Sequence, residues 1–191
     1  MEIDTFLADR IRELRRARGF TLDQLAQHSG VSRSMISLIE RRETSPTAAV
    51  LDRLAAAFGL SLPAFFAAAV PQAEPDPVSR HTQQPVWTDP ASGYVRRHLS
   101  PTGTVSPIEL VEVSFPAGET VVFERPAGQA RPSHQIWLLE GEMDITLEHG
   151  AWRLQRGDCM AMQPGPRITF HNPGSQPARY LLALALAPLP A

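Results

Sequence analysis

Along residues 1–70 apolar side chains recur at intervals of three and four, the period of helices that bury one face. Leu7, Ile11 and Leu14 share one face of a helix predicted over 4–18, which Gly19 ends. The stretch "TLDQ" at 21–24 is a capping box: Thr21 can accept from a backbone amide three residues on while Gln24 reaches back. It starts a second short helix with Leu25 and Ala26 facing inward. Gly30 suits a left-handed turn. Ser32 then caps a third helix, "RSMISLIER", whose Ile36 and Ile39 point to the core. "SPTAAVLDRLAAAFG" predicts a fourth helix carrying Val50, Leu51, Leu54 and Phe58, and "SLPAFFAAA" a fifth capped by Ser61.

The pattern then changes. "PQAEPDPVSRHTQQPVWTDP" is polar and proline-rich with no helical period, and is predicted as a linker over 71–91. From 92 to 191 apolar and polar positions alternate between Gly and Pro punctuation. "IELVEVSF", "ETVVFE", "HQIWLLEGEMDITLE", "GDCMAM" and "ARYLLALALA" read as strands. Many short strands spaced by turns imply a sandwich or barrel. The chain is thus expected to be multidomain, α + β: a helical domain over 1–70 and a β domain over 92–191.

Composition adds limits. The 191 residues are 43% hydrophobic and 20% charged, with a net charge of −2, so no overall basic bias points to nucleic acid. The balance is uneven: residues 1–70 hold nine arginines against eight acids, and the remainder nine against twelve. A lone cysteine, Cys159, excludes an internal disulfide; burial in its strand is expected. "AFFAAAV" and "YLLALALA" are too short to span a bilayer, and charges at Glu2, Asp4, Asp9 and Arg10 do not fit a signal peptide. A cytoplasmic protein is expected.

One spacing in the helical half carries chemistry. Two short helices crossing steeply need a small residue at the contact, a glycine in the turn, and a branched apolar residue sealing the second onto the first. Ala26, Gly30 and Ile36 stand at those offsets. With them, "RELRRARGFTLDQLAQHSGVSRSMISLIERRETSPTAAVLDRLAAAFGLSLPAF" resembles the five-helix helix-turn-helix domain of phage-repressor-like (XRE family) bacterial regulators. The resemblance implies that the third helix enters the major groove of double-stranded DNA. Carried over by position, Arg33, Ser34, Ser37 and Leu38 face the groove, and Arg33 suits a bidentate bond to guanine. Thr21, Ser32, Arg41 and Arg42 fall where phosphate contacts are made. Two departures stand out: Leu22 replaces a glutamine common after the second-helix cap, and Arg42 a common glycine. Arg12, Arg15, Arg16 and Arg18 read as a solvated, partly ion-paired face.

In the second half, "LEGEMDITL", "LQRGDCMAM", a Pro-Gly turn and "FHNPG" resemble the cupin barrel, a double-stranded β-helix. Asp158 in the "RGD" turn suits bonds to local amides. Metal-binding cupins carry two histidines one residue apart, a glutamate four residues on and a later histidine. Aligned on Gly141 and Gly157, those positions fall on Gly128, Ala130, His134 and Ile168. One imidazole cannot hold a catalytic metal, so neither a metal nor another cofactor is expected. A cavity for a small organic effector is expected instead. His134, Ile136 and Leu138 share one strand face, opposed by Ile168 and Phe170, with His134 as polar anchor. Trp137 lies on the opposite face and suits packing at a sheet or subunit contact. Arg125 and Arg131, near the mouth, could hold an anionic ligand, but are expected at the solvated surface.

Together the parts resemble one-component transcriptional regulators. The resemblance implies no enzyme activity. It implies a homodimer formed through the cupin domain, a palindromic operator, and an effector that acts through a flexible linker on the freedom of two heads. Two alternatives stay open. One is a metal-dependent enzyme of the helix-turn-helix–cupin hydroxypropylphosphonate epoxidase type, which the missing ligands disfavour. The other is an antitoxin-like DNA-binding module, which leaves the barrel unexplained.

Overall fold

The periodic segments fold as helices because each buries one stripe against the others. The computed structural model describes residues 3–60, 62–67, 76–101, 106–125 and 133–185. Helices α1 (Ile3–Ala17), α2 (Leu22–Ser29), α3 (Arg33–Glu40), α4 (Ala48–Ala57) and α5 (Leu62–Ala67) come first. Leu7, Ile11, Leu25, Ile36, Leu51, Leu54 and Phe58 are fully buried between them. The capping box forms as predicted: the Gln24 amide donates to Thr21 Oγ1 at 3.1 Å, and the Thr21 amide to Gln24 Oε1 at 2.8 Å. Gly30 takes φ 67°, and its amide closes α2 on the Ala26 carbonyl. Ser61, the predicted cap of α5, lies outside the described residues.

Ten strands are described: β1 (Val86–Thr88), β2 (Val95–His98), β3 (Ile108–Phe115), β4 (Thr120–Glu124), β5 (Ser133–Glu140), β6 (Glu142–Leu147), β7 (Gly150–Gln155), β8 (Cys159–Met162), β9 (Arg167–His171) and β10 (Ala178–Ala185). They form two antiparallel sheets, β1-β2-β3-β10-β5-β8 and β4-β9-β6-β7. Their inner faces close over Val111, Val113, Ile136, Leu138, Met143, Ile145, Ile168 and Tyr180, giving the cupin barrel. The "RGD" turn is held as expected, with the Gln155 amide donating to Asp158 Oδ2 at 2.8 Å.

Several expectations need correction. Cys159 is exposed, because its strand turns that position to the outer face of the larger sheet. Trp137 shares that face and is 49% exposed. The span predicted as linker over 71–91 contains β1, which pairs with β2 through Trp87 and Arg96. Arg15 is not merely solvated: it grips the buried Glu40 carboxylate with Nε at 2.6 Å and Nη2 at 2.8 Å, locking α1 to the end of α3. Arg18 likewise donates to the Phe58 carbonyl at 2.5 Å.

The head is not loosely tethered. One continuous apolar cluster runs from the helices into the barrel. Phe66 of α5 meets Trp87 at 6.1 Å, and Trp87 meets Tyr94 edge-on at 5.9 Å. Asp89, buried, accepts the Ala48 amide at 2.9 Å at the start of α4, where the helix dipole favours an anion. Asp52 of α4 accepts two hydrogen bonds from Arg125, just past β4, and both side chains are 5% exposed. Arg125, expected at the solvated surface, is therefore a buried clamp between head and barrel. Arg131 lies outside the described residues.

Candidate nucleic-acid interface and barrel cavity

Helix α3 presents Arg33, Ser34 and Met35 to solvent, with Ser37 and Leu38 half-buried beside them. Ser32 caps the helix, taking the Met35 amide at 3.2 Å, and its hydroxyl lies 3.2 Å from that of Ser34. Arg33 Nε sits 3.2 Å from Asp23 of α2, both side chains exposed. At the other end Arg41 donates to Ser37 Oγ at 2.7 Å and to Glu43 at 2.6 Å. That hydrogen bond, with Arg41's charge, holds the Glu43 carboxyl below its usual range. Arg42 adopts φ 65°, the left-handed cap where glycine is the usual residue, and its guanidinium pairs with Asp9 at 2.9 Å.

The structure thus brings Thr21, Ser32, Arg33, Ser34, Ser37, Leu38, Arg41 and Arg42 onto or beside one exposed helix. Its arginines are each paired with an exposed carboxylate, a weak kind of pairing. Sequence reasoning missed Met35, which is 36% exposed. Its position between Arg33 and Ile36 was the available signal.

The second feature is a cavity of about 50 Å³ in the barrel. That is room for a few water-sized groups, since a single water needs roughly 10–15 Å³ by this measure. Of the residues expected around it, His134, Ile168 and Phe170 line its wall. Ile136 and Leu138 do not. Both are fully buried in the core, and β5 reaches the cavity through His134 alone. The space leans instead toward β2, β3 and β10, with Tyr94, Arg96, Val113, Phe115, Tyr180, Leu182 and Leu184 on its wall. Asp52 and Leu62 of the head complete it alongside Arg125.

Charge is unevenly distributed there. Arg96 is 7% exposed and interacts with the Tyr94 hydroxyl, and among the described residues no carboxylate pairs with its guanidinium. Burial first, then Arg96, pushes nearby His98 down to about 4, so His98 is neutral near pH 7. Burial pushes the Tyr94 phenol up to about 12 and raises that of Tyr180 as well. Sequence reasoning missed Arg96 because "YVRRH" is too polar to read as a core strand. Nothing in the sequence pattern marks it; its burial, alternating with half-buried neighbours, is seen only in the folded chain.

The donor set does not suit a cupin metal. Gly128 and Ala130 have no side-chain donor and lie outside the described residues, and Ile168 is a buried hydrocarbon. The site offers guanidinium, phenol and apolar wall, a binding chemistry.

The molecule is a helix-turn-helix head seated on a cupin barrel, with helix α3 exposed at one end. Residues 11–65 match the helix-turn-helix family model HTH_3, so the head carries a domain of that kind. The chain is 26% identical to the HTH-type transcriptional regulator SutR of Escherichia coli (strain K12), over 92% of each chain. It is 36% identical to the control protein C.SmaI of Serratia marcescens, over 33% of this chain and 75% of that one. The crystal structure of an HTH_3 family transcriptional regulator from Vibrio cholerae superposes with a TM-score of 0.76 at 25% identity, covering 96% of this chain and 97% of that one.

Proposed function

We propose that this regulator binds a palindromic operator as a homodimer and that a small-molecule effector in the barrel cavity changes its operator affinity. The carrying observation is that the cavity wall is shared: Asp52 and Leu62 come from the head, and the rest from the barrel. A ligand there touches both parts, so its binding energy can differ between docked and undocked heads, which is what shifting a population requires. This replaces coupling through a slack linker with direct contact.

In this reading Arg33, Ser34, Ser37 and Leu38 meet base edges while Thr21, Ser32, Arg41 and Arg42 position the head on phosphates. Two α3 helices address half-sites roughly 34 Å apart. The dimer forms on the outer face of the larger sheet, where Trp137, Cys159, Leu181 and Ala183 line a shallow apolar hollow. The barrel is read as a sensor and not a metal-dependent enzyme, because the residues at the cupin ligand positions cannot assemble a three-donor metal set.

Operator footprinting of the full chain in the presence of a metabolite panel tests this. One protected palindrome whose occupancy changes with one compound is expected. Stoichiometric iron in the purified protein, or a folded dimer indifferent to every duplex, overturns it.

A further inference from the structure

We propose that the cavity takes a compact carboxylate that pairs with Arg96 and, lodged beside the Asp52–Arg125 pair, loosens the head from the barrel. The inference deepens the effector reading above and rests on it.

Arg96 sits in β2 between Trp87 and Val113, with its side chain on the inward face. Among the described residues no carboxylate pairs with its guanidinium, and Nη2 is buried. A guanidinium cannot shed its proton to escape burial. An unpaired buried ion is strongly disfavoured, so a counter-ion that enters beside it is strongly favoured. The described charges on the cavity wall are Arg96 and Arg125 against Asp52 alone, with His134 as a further titratable group. Asp52 is already bidentate on Arg125. One monoanion therefore balances the set.

The shape of the site narrows the anion. A guanidinium fork matches a carboxylate with two parallel hydrogen bonds. The Tyr94 hydroxyl interacts with Arg96 and can donate to the same group. The remaining wall of Val113, Phe115, Ile168 and Leu182 suits a short hydrocarbon body. A volume of about 50 Å³ leaves no room for a nucleotide or a long chain.

The consequence for the head follows from charge. The incoming carboxylate repels Asp52 and competes with it for Arg125. Asp52 belongs to α4, so weakening that pair weakens the contact between α4 and β4. Arg96 also borders Phe66 of α5, which places the anion next to α4 and α5 of the head.

The test is titration calorimetry of the full chain with butyrate and isovalerate, their amides as uncharged counterparts, and inorganic sulfate. Hydrogen exchange in α4 and α5 is followed in parallel. We expect carboxylates to bind at least tenfold tighter than amides or sulfate, and exchange in α4 and α5 to rise on binding. Arg96→Gln should lose at least tenfold in carboxylate affinity while its ligand-free melting temperature matches or exceeds the wild type's. A purely structural arginine would instead lower that temperature, and such a result overturns the proposal. Equal binding of amides or sulfate, unchanged binding by Arg96→Gln, or binding with no change in exchange overturns it too. If no carboxylate binds but a neutral metabolite shifts operator affinity, this inference fails and the effector reading stands. If no compound shifts operator affinity, the effector reading itself fails.

Discussion

Asp52 and Arg125, 73 residues apart in the chain, form a buried bidentate ion pair at 2.6 and 3.0 Å that joins the DNA-binding head to the barrel. Such a pair is a specific clamp rather than a source of great net stability. Its attraction largely repays the cost of removing both ions from water. What it does firmly is penalise any state in which one partner is left alone inside. That asymmetry suits the proposed switch between a docked and a released head.

Removing one partner should therefore be costly and removing both much less so. Asp52→Ala is expected to destabilise the protein by about 3–5 kcal/mol, because Arg125 stays buried and unpaired. The double variant Asp52→Leu/Arg125→Met should recover most of that loss. Urea denaturation of the two variants checks this, and equal losses would contradict a buried pair.

Backbone geometry sets a second expectation. Gly141 turns β5 into β6 at φ 76°, and a Cβ there would lie 2.8 Å from the Ala178 Cα. Gly141→Ala meets both a left-handed conformation and a backbone that cannot move aside. A loss of roughly 2–4 kcal/mol is expected from the two effects together, readable as a lower thermal midpoint.

These long-range contacts mark the boundary of what the sequence discloses. The head was legible because its rules are local: the Thr21–Gln24 cap, Gly30 and the spacing of Ile36 each act within a few residues. Strand parity likewise placed Ile136 and Leu138 inward and Trp137 outward. It could not say which inward residues meet the cavity, since that depends on how both sheets close and where the head lands. Asp89 reads as part of a polar linker until α4 is seen to start on it. Arg96 reads as surface because the run of Arg96, Arg97 and His98 is polar, and Trp87, Val113 and Phe66 reach it from elsewhere in the chain. Charged residues that become buried only by docking leave no periodic trace in one chain.

On the DNA side the exposed Arg33–Asp23 pair, at 3.2 Å, costs little to break, so Arg33 is available to a base edge. Arg33→Ala should weaken specific operator binding by about 1–3 kcal/mol and relax preference at one position per half-site. Arg41→Ala, which removes a phosphate contact in the proposed docking, should weaken all duplexes alike and flatten the salt dependence. Competition binding against a library randomised at each operator position separates the two. An Arg33→Ala protein with an unchanged base profile would remove this side chain from the reading interface.

Titration of His98 gives the last expectation its sign. The folded protein holds its pKa at about 4, below the usual value, chiefly because burial disfavours the imidazolium and secondly because Arg96 is near. In the unfolded chain His98 titrates near its ordinary value, about 6.5. Between those two values the unfolded state binds more protons, so stability falls as pH falls. The stabilising contribution is complete above roughly pH 6.5 and is lost as the pH drops toward 4. Within the window the slope approaches about 1.4 kcal/mol per pH unit, the full effect of one proton. His98→Gln removes the titrating group but not the polar contact area. Its melting temperature should decline less than the wild type's between pH 6.5 and 4.5, while the two curves run parallel above pH 7. Parallel curves across the acid range would mean that His98 takes up its proton as readily folded as unfolded. The desolvation of this end of the barrel would then be less complete than its 4% exposure implies.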